Sequence, residues 1–146
     1  MSAAAVKICE IRVGAEIVSQ PYVLDADAAK AYHEGIESPR RRASRKSIHD
    51  DKDAARNAGF VAPIAAGGQT IAVIAQFLAD NFGMRFMRGG RLEVALTKPV
   101  LFGDVLISRA RIERVDDDRA QLKIQVENQR GENVLLGSAV VRTREA

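Results

Sequence analysis

At 146 residues, with 47% hydrophobic and 28% charged positions, the chain can bury a core and is too apolar to be a disordered one. Its formal charge is +3, yet five of its basic residues crowd into the seven positions from Arg40 to Lys46. Without them acidic residues outnumber basic ones, which argues against a broad nucleic-acid-binding surface, and the lone Cys9 excludes an intrachain disulfide or cysteine cluster.

In chain order, MSAAAVKICE lacks a basic segment leading into an apolar stretch, so no secretory signal is expected. Lys7 to Val13 and Glu16 to Leu24 read as short strands, with Gly14 making the turn between them. Asp25 to Ile36 reads as a helix capped by Asp25 or Asp27, with Ala28, Ala29, Tyr32, Gly35 and Ile36 at helical spacing. Ser38-Pro39 ends it, because the residue before proline is pushed out of the α region. His33 on this helix reads as a surface or packing residue. Asp50 to Asn57 forms a short helix whose early carboxylates suit its dipole, and Ala58-Gly59 closes it. Asp50, Asp51 and Asp53 therefore read as first-turn partners, not metal ligands, and no metal is expected.

Past Pro63 and Gly67-Gly68 a helix runs over about Gln69 to Asn81. Ile71 to Ala79 is apolar but for Gln76, the pattern of a helix buried all round, inside which Gln76 needs a hydrogen-bond partner. The longest apolar segment, Thr70 to Ala79, is too short to cross a bilayer, so a cytoplasmic protein without a membrane partner is expected. Alternation then takes over: Leu92, Val94 and Leu96; Leu106, Ala110 and Ile112; Leu122, Ile124 and Val126; Val134, Leu136 and Val140. Separated by Phe102-Gly103-Asp104, Asp116 to Asp118 and Asn128 to Gly131, these runs read as an antiparallel meander, with Gly103-Asp104 as turn chemistry. One α+β domain over residues 1–146 is expected, with an antiparallel sheet around a single buried helix.

This order resembles the hotdog fold, and SIHDDKDAARNAGFVAPIAAGG (Ser47 to Gly68) is similar to the MaoC-like branch, the (R)-specific enoyl-CoA hydratases and dehydratases. That branch carries an Asp-x-Asn-Pro-x-His element, a short helix, and a Gly-Phe-x-x-Pro-Ile-Ala-His-Gly loop into the central helix. TKPVLFGDVL (Thr97 to Leu106) is similar to its later strand-turn-strand. The resemblance spans roughly Ala26 to Val141. It places His49 at the catalytic histidine and Ser44 at the aspartate, with Lys46 and Ser47 at the asparagine and proline. Treating PRRRASRK as an insertion makes Glu37 a displaced acid instead. The family's second histidine is Ala66 here.

The resemblance implies an acyl-thioester site, with coenzyme A thioester as substrate and no separate cofactor. Hydration of an enoyl thioester needs a base for water, an acid for the α carbon, and donors at the thioester oxygen. The main-chain N–H groups around Ala66, Gly67 and Gly68 fill the last role, at a helix start whose glycines permit close approach. Arg40, Arg41, Arg42, Arg45 and Lys46 form either a solvated loop or a contact for coenzyme A phosphates. A hydratase or dehydratase using His49, a non-catalytic acyl-CoA-binding subunit and a hotdog thioesterase all remain open. A nucleic-acid role ranks last, because no aromatics interleave the cations for base stacking. The resemblance also implies a homodimer or higher homo-oligomer, since an exposed sheet edge calls for cover.

Overall fold

A computed structural model of the chain describes residues 10–36 and 46–145. The elements are β1 (Glu16–Val18), β2 (Tyr22–Leu24), α1 (Ala26–Ile36), α2 (Lys52–Asn57), α3 (Gly67–Phe82), α4 (Met84–Met87), β3 (Arg91–Leu96), β4 (Asp104–Val115), β5 (Arg119–Glu127) and β6 (Asn133–Arg142). The strands form one antiparallel sheet in the order β1-β4-β5-β6-β3, with β2 also paired to β4. The sheet wraps α3, whose Ile74, Phe77, Leu78 and Phe82 meet Leu106, Ile112, Leu122, Ile124, Leu135 and Val141 in one core. This is the α+β hotdog architecture.

The expected strand over Lys7 to Val13 does not form in its described part, Glu10 to Val13. Gly14 turns there with φ 84° and donates its N–H to the Ile112 carbonyl at 2.8 Å. The expected single strand over Glu16 to Leu24 is two strands. Pro21 has no N–H for the ladder, and Ser19 Oγ accepts the Ser108 N–H at 2.9 Å where a carbonyl would otherwise serve. Asp25 caps α1, its Oδ1 accepting the Ala28 N–H at 2.8 Å.

Two features of the second half differ from the alternating pattern. β3 pairs with β6, from Arg91 opposite Val140 to Leu96 opposite Leu135, and not with β4. The connection over 97–103 carries Pro99 and is longer than tight hairpin loops, so it takes the chain to the far side of the sheet. In β6 Val134 joins the core as expected, but so do Leu135, Ala139 and Val141, while Leu136 and Val140 are only half-buried. A strand lying between β5 and β3 is apolar on both faces, and its phase cannot be read from hydrophobicity.

α3 is not buried all round. Gly68, Ala72, Gln76 and Asp80 form an exposed stripe at four-residue spacing, and Gln76 Nε2 donates to Asp80 Oδ1 at 2.7 Å on that open side. Ala72 is the stripe's one alanine, and Ala75 and Ala79 beside it are only half-buried; alanine favours a helix without needing burial, so it counts as core in composition alone. No helix among the described residues is long and apolar enough to cross a membrane.

Candidate active site

His49 stands on the turn before α2. Asp50 Oδ1 accepts the Ser47 N–H at 2.8 Å and the Ser47 hydroxyl at 3.2 Å. Asp51 caps α2 through the Ala54 N–H at 2.8 Å. Both carboxylates are therefore engaged in shaping the turn. Lys46, largely exposed, lies 3.8 Å from Asp51.

The loop into α3 is clasped from both sides. Ile64 donates its N–H to the Ile48 carbonyl at 3.1 Å, and its own carbonyl lies 2.8 Å from His49 Nδ1. Ala65 then donates to the Val100 carbonyl at 2.8 Å. A carbonyl oxygen only accepts, so His49 Nδ1 carries the proton, and in the neutral ring Nε2 keeps the lone pair. The loop thus sets the tautomer a general base needs.

α3 begins without a side-chain cap, because its N-cap is Ala66. The amides at its first two positions, Gly67 and Gly68, are left for other acceptors, and the helix dipole adds positive potential there. Neither glycine has a positive φ. They are glycines for space: a Cβ on Gly67 would lie 2.7 Å from Leu96 Cδ1, and one on Gly68 would collide with the Tyr32 hydroxyl. α1 and the end of β3 thus close on the helix start from two sides. A cavity of about 280 Å³ opens there, lined by His49, Ala65, Gly67, Thr70, Leu96 and Lys98 among others. In the first turn of α3, Gln69 is 4% exposed, and its Oε1 has no hydrogen-bond partner among the described residues.

The far wall of the cavity is tied down by charges. Asp104 is buried, Arg130 Nη1 donates to its Oδ1 at 2.9 Å, and its Oδ2 accepts the Leu101 N–H at 3.0 Å. Burial pushes this carboxyl up, but the bonds from Arg130, Gln129 and Leu101 outweigh burial and hold it below its usual value. Glu132 accepts from Asn128, from Lys98 at 2.7 Å and from Arg130, and these bonds pull its carboxyl from 4.5 to about 2. Gly103-Asp104 is therefore more than a turn, although Gly103 does turn with φ 95°.

A MaoC like domain matches residues 43–134. The chain belongs to the MaoC-like family. No curated protein matches the chain. The MaoC-like dehydratase from Rhodospirillum rubrum is 26% identical, with a TM-score of 0.69, covering 92% of this chain and 94% of that one. The R-hydratase PhaJ1 from Pseudomonas aeruginosa is 20% identical, with a TM-score of 0.74 and coverage of 97% and 87%. The (R)-hydratase from A. caviae involved in PHA biosynthesis is 19% identical, with a TM-score of 0.70 and coverage of 91% and 97%. These two hydratases bear on the fold.

Of the MaoC-like site residues expected from sequence, His49, Ala66, Gly67 and Gly68 gather around the start of α3. Glu37, Ser44, Arg41, Arg42 and Arg45 lie outside the described residues, as does Arg40. Sequence reasoning missed the α1 contribution. His33 is half-buried, its ring centroid 5.9 Å from that of His49, and Tyr32 meets His33 edge-on at 5.7 Å. No spacing rule connects a helix of residues 26–36 to a loop histidine at 49. It also missed Leu96 to Val100 as a wall. Among the described residues, no three His, Cys, Asp or Glu side chains gather as a metal site.

Proposed function

We propose that this MaoC-like protein is an acyl-thioester hydratase or dehydratase, moving water onto or off an enoyl-coenzyme A thioester. The observation that carries the reading is the shared cavity, lined both by His49, its Nδ1 committed to Ile64, and by Gly67 at the uncapped start of α3. In hydration, His49 Nε2 takes a proton from water as the water oxygen bonds to the substrate β carbon. The displaced electron pair moves toward the thioester oxygen, where the amides of Gly67 and Gly68 stabilise the charge. The imidazolium or a neighbouring acid then protonates the α carbon; Glu37 is the sequence position for that acid, while Ser44 stands where the resemblance places the aspartate and carries no acidic group. Arg41, Arg42, Arg45 and Lys46 are assigned to the coenzyme A phosphates. The outer edge of β3, unpaired among the described residues, is the surface on which a homodimer would join.

Loss of enoyl-thioester absorbance with crotonyl-CoA and longer enoyl-CoAs tests the reading. Turnover is expected for the parent, and a fall of about 10²-fold or more for His49→Ala. No turnover by the parent, or equal turnover by the variant, sinks it. A second reading is favoured by Ala66 and Ser44 at positions where the resemblance calls for histidine and aspartate: an acyl-thioester-binding subunit of a mixed assembly. Calorimetric binding of acyl-CoA without turnover is its expected result, and absence of binding rules it out.

A further inference from the structure

We infer that Tyr32 is a substrate-contacting residue of this site, its phenolic O–H donating to the thioester oxygen beside the start of α3. The inference rests on the acyl-thioester reading above. Gly68 has an ordinary φ, so it needs no glycine for its backbone conformation. What it lacks is room: a Cβ there would collide with the Tyr32 hydroxyl, the next atom being Tyr32 Cζ at 3.4 Å. The hydroxyl therefore lies against the main chain at the second residue of α3, beside the amide that would hold the oxyanion.

The hydroxyl is half of a donor pair that packing alone does not demand. A phenylalanine ring would fill the same space between α1 and α3. Neither Tyr32 nor Gly68 lines the cavity itself, but Tyr32 is half-buried and Gly68, next to the lining residue Gly67, is exposed, so a ligand can approach where the two meet. Among the described residues the Tyr32 hydroxyl makes no hydrogen bond, so at the positive end of α3 its proton is available to an acceptor that arrives there. The ring is held in place by His33, edge-on at 5.7 Å, and His33 in turn lies 5.9 Å from His49. Tyr32, His33 and His49 thus form one row of rings from the helix start to the base. The row puts a donor at the carbonyl end and a proton acceptor at the water end of one substrate.

The direct signature is polarisation of a bound conjugated thioester, read as a red shift of its absorption band. Cinnamoyl-CoA is the probe, alongside turnover of crotonyl-CoA. Tyr32→Phe is expected to shrink the red shift and to lower kcat by about 10²-fold, the usual effect of removing one oxyanion donor. KM is expected to change far less. An unchanged red shift overturns the inference whatever happens to turnover. Should Tyr32→Phe fail to fold, Gly68→Ala carries the test, since its methyl displaces the hydroxyl while keeping Tyr32, and a full red shift in it overturns the inference. A parent that binds no thioester overturns this inference and the acyl-thioester reading together. An active parent whose Tyr32→Phe form is unchanged overturns only the role of Tyr32.

Discussion

Asp104 offers the sharpest test of what holds the site's far wall. Its side chain is 3% exposed and that of Arg130 is 44% exposed. In Asp104→Ala the Leu101 amide loses its acceptor at 3.0 Å in a part-buried place, which costs about 1–3 kcal/mol. Arg130 and Gln129 reach water once released, so the lost ion pair adds no more than about 1 kcal/mol. The expected total is about 1–4 kcal/mol, or roughly 2–16 °C in Tm for a chain of this size. Asp104→Asn is expected to recover only part of this. Its Oδ1 can still accept from Leu101, but its amide donors would then face those of Arg130 and Gln129. Urea unfolding of the three proteins measures the difference. A midpoint for Asp104→Ala within about 0.5 kcal/mol of the parent, or an Asn variant as stable as the parent, would refute the reasoning.

Three further outcomes are expected. The Glu132 carboxyl is held at about 2, against 4.5 ordinarily, so its stabilising effect is complete above about 4.5 and is lost as pH falls toward 2; acid unfolding of Glu132→Gln should show a shallower slope across that window, and an unchanged slope would count against the network. Gly68→Ala should destabilise the parent yet be neutral or stabilising by up to about 1 kcal/mol in a Tyr32→Phe background, where the colliding hydroxyl is gone. Additive effects in thermal melts would mean Tyr32 does not lie where it is described. Phe82→Ala empties a fully buried position under the sheet and should cost about 3–5 kcal/mol by denaturant unfolding; a loss below about 1 kcal/mol would deny it that place.

The period of hydrophobic residues carried most of the fold. Leu106, Ala110 and Ile112, then Leu122, Ile124 and Val126, alternate because one face of β4 and β5 lies on α3 and the other does not. The same logic failed where its premise failed. β6 is apolar on both faces, so its phase was ambiguous, and Gln76 lies on an open stripe with Gly68, Ala72 and Asp80 inside an otherwise apolar run. The pairing of β3 with β6 was not legible, since no local pattern states which distant strand is a neighbour. At the site, His49 and Gly67-Gly68 could be found because they sit close together in sequence around one loop. Tyr32, His33 and Leu96 arrive by packing from other elements, and nothing in their own neighbourhoods marks them.

The sheet order also carries a consequence for how the molecule assembles. β4, β5 and β6 follow one another through short turns, whereas Glu16 pairs with Arg111 and Arg91 with Val140. Closing those long loops costs chain entropy before any contact compensates, so the three-strand unit has the head start. α1, the histidine turn and the end of β3 must then converge on α3 from separate parts of the chain. The cavity is thus expected to be among the last regions to take shape and the first to open. Amide exchange should be slowest along β4 to β6 and fastest in α1, which would place the reacting groups on the most labile layer of the protein.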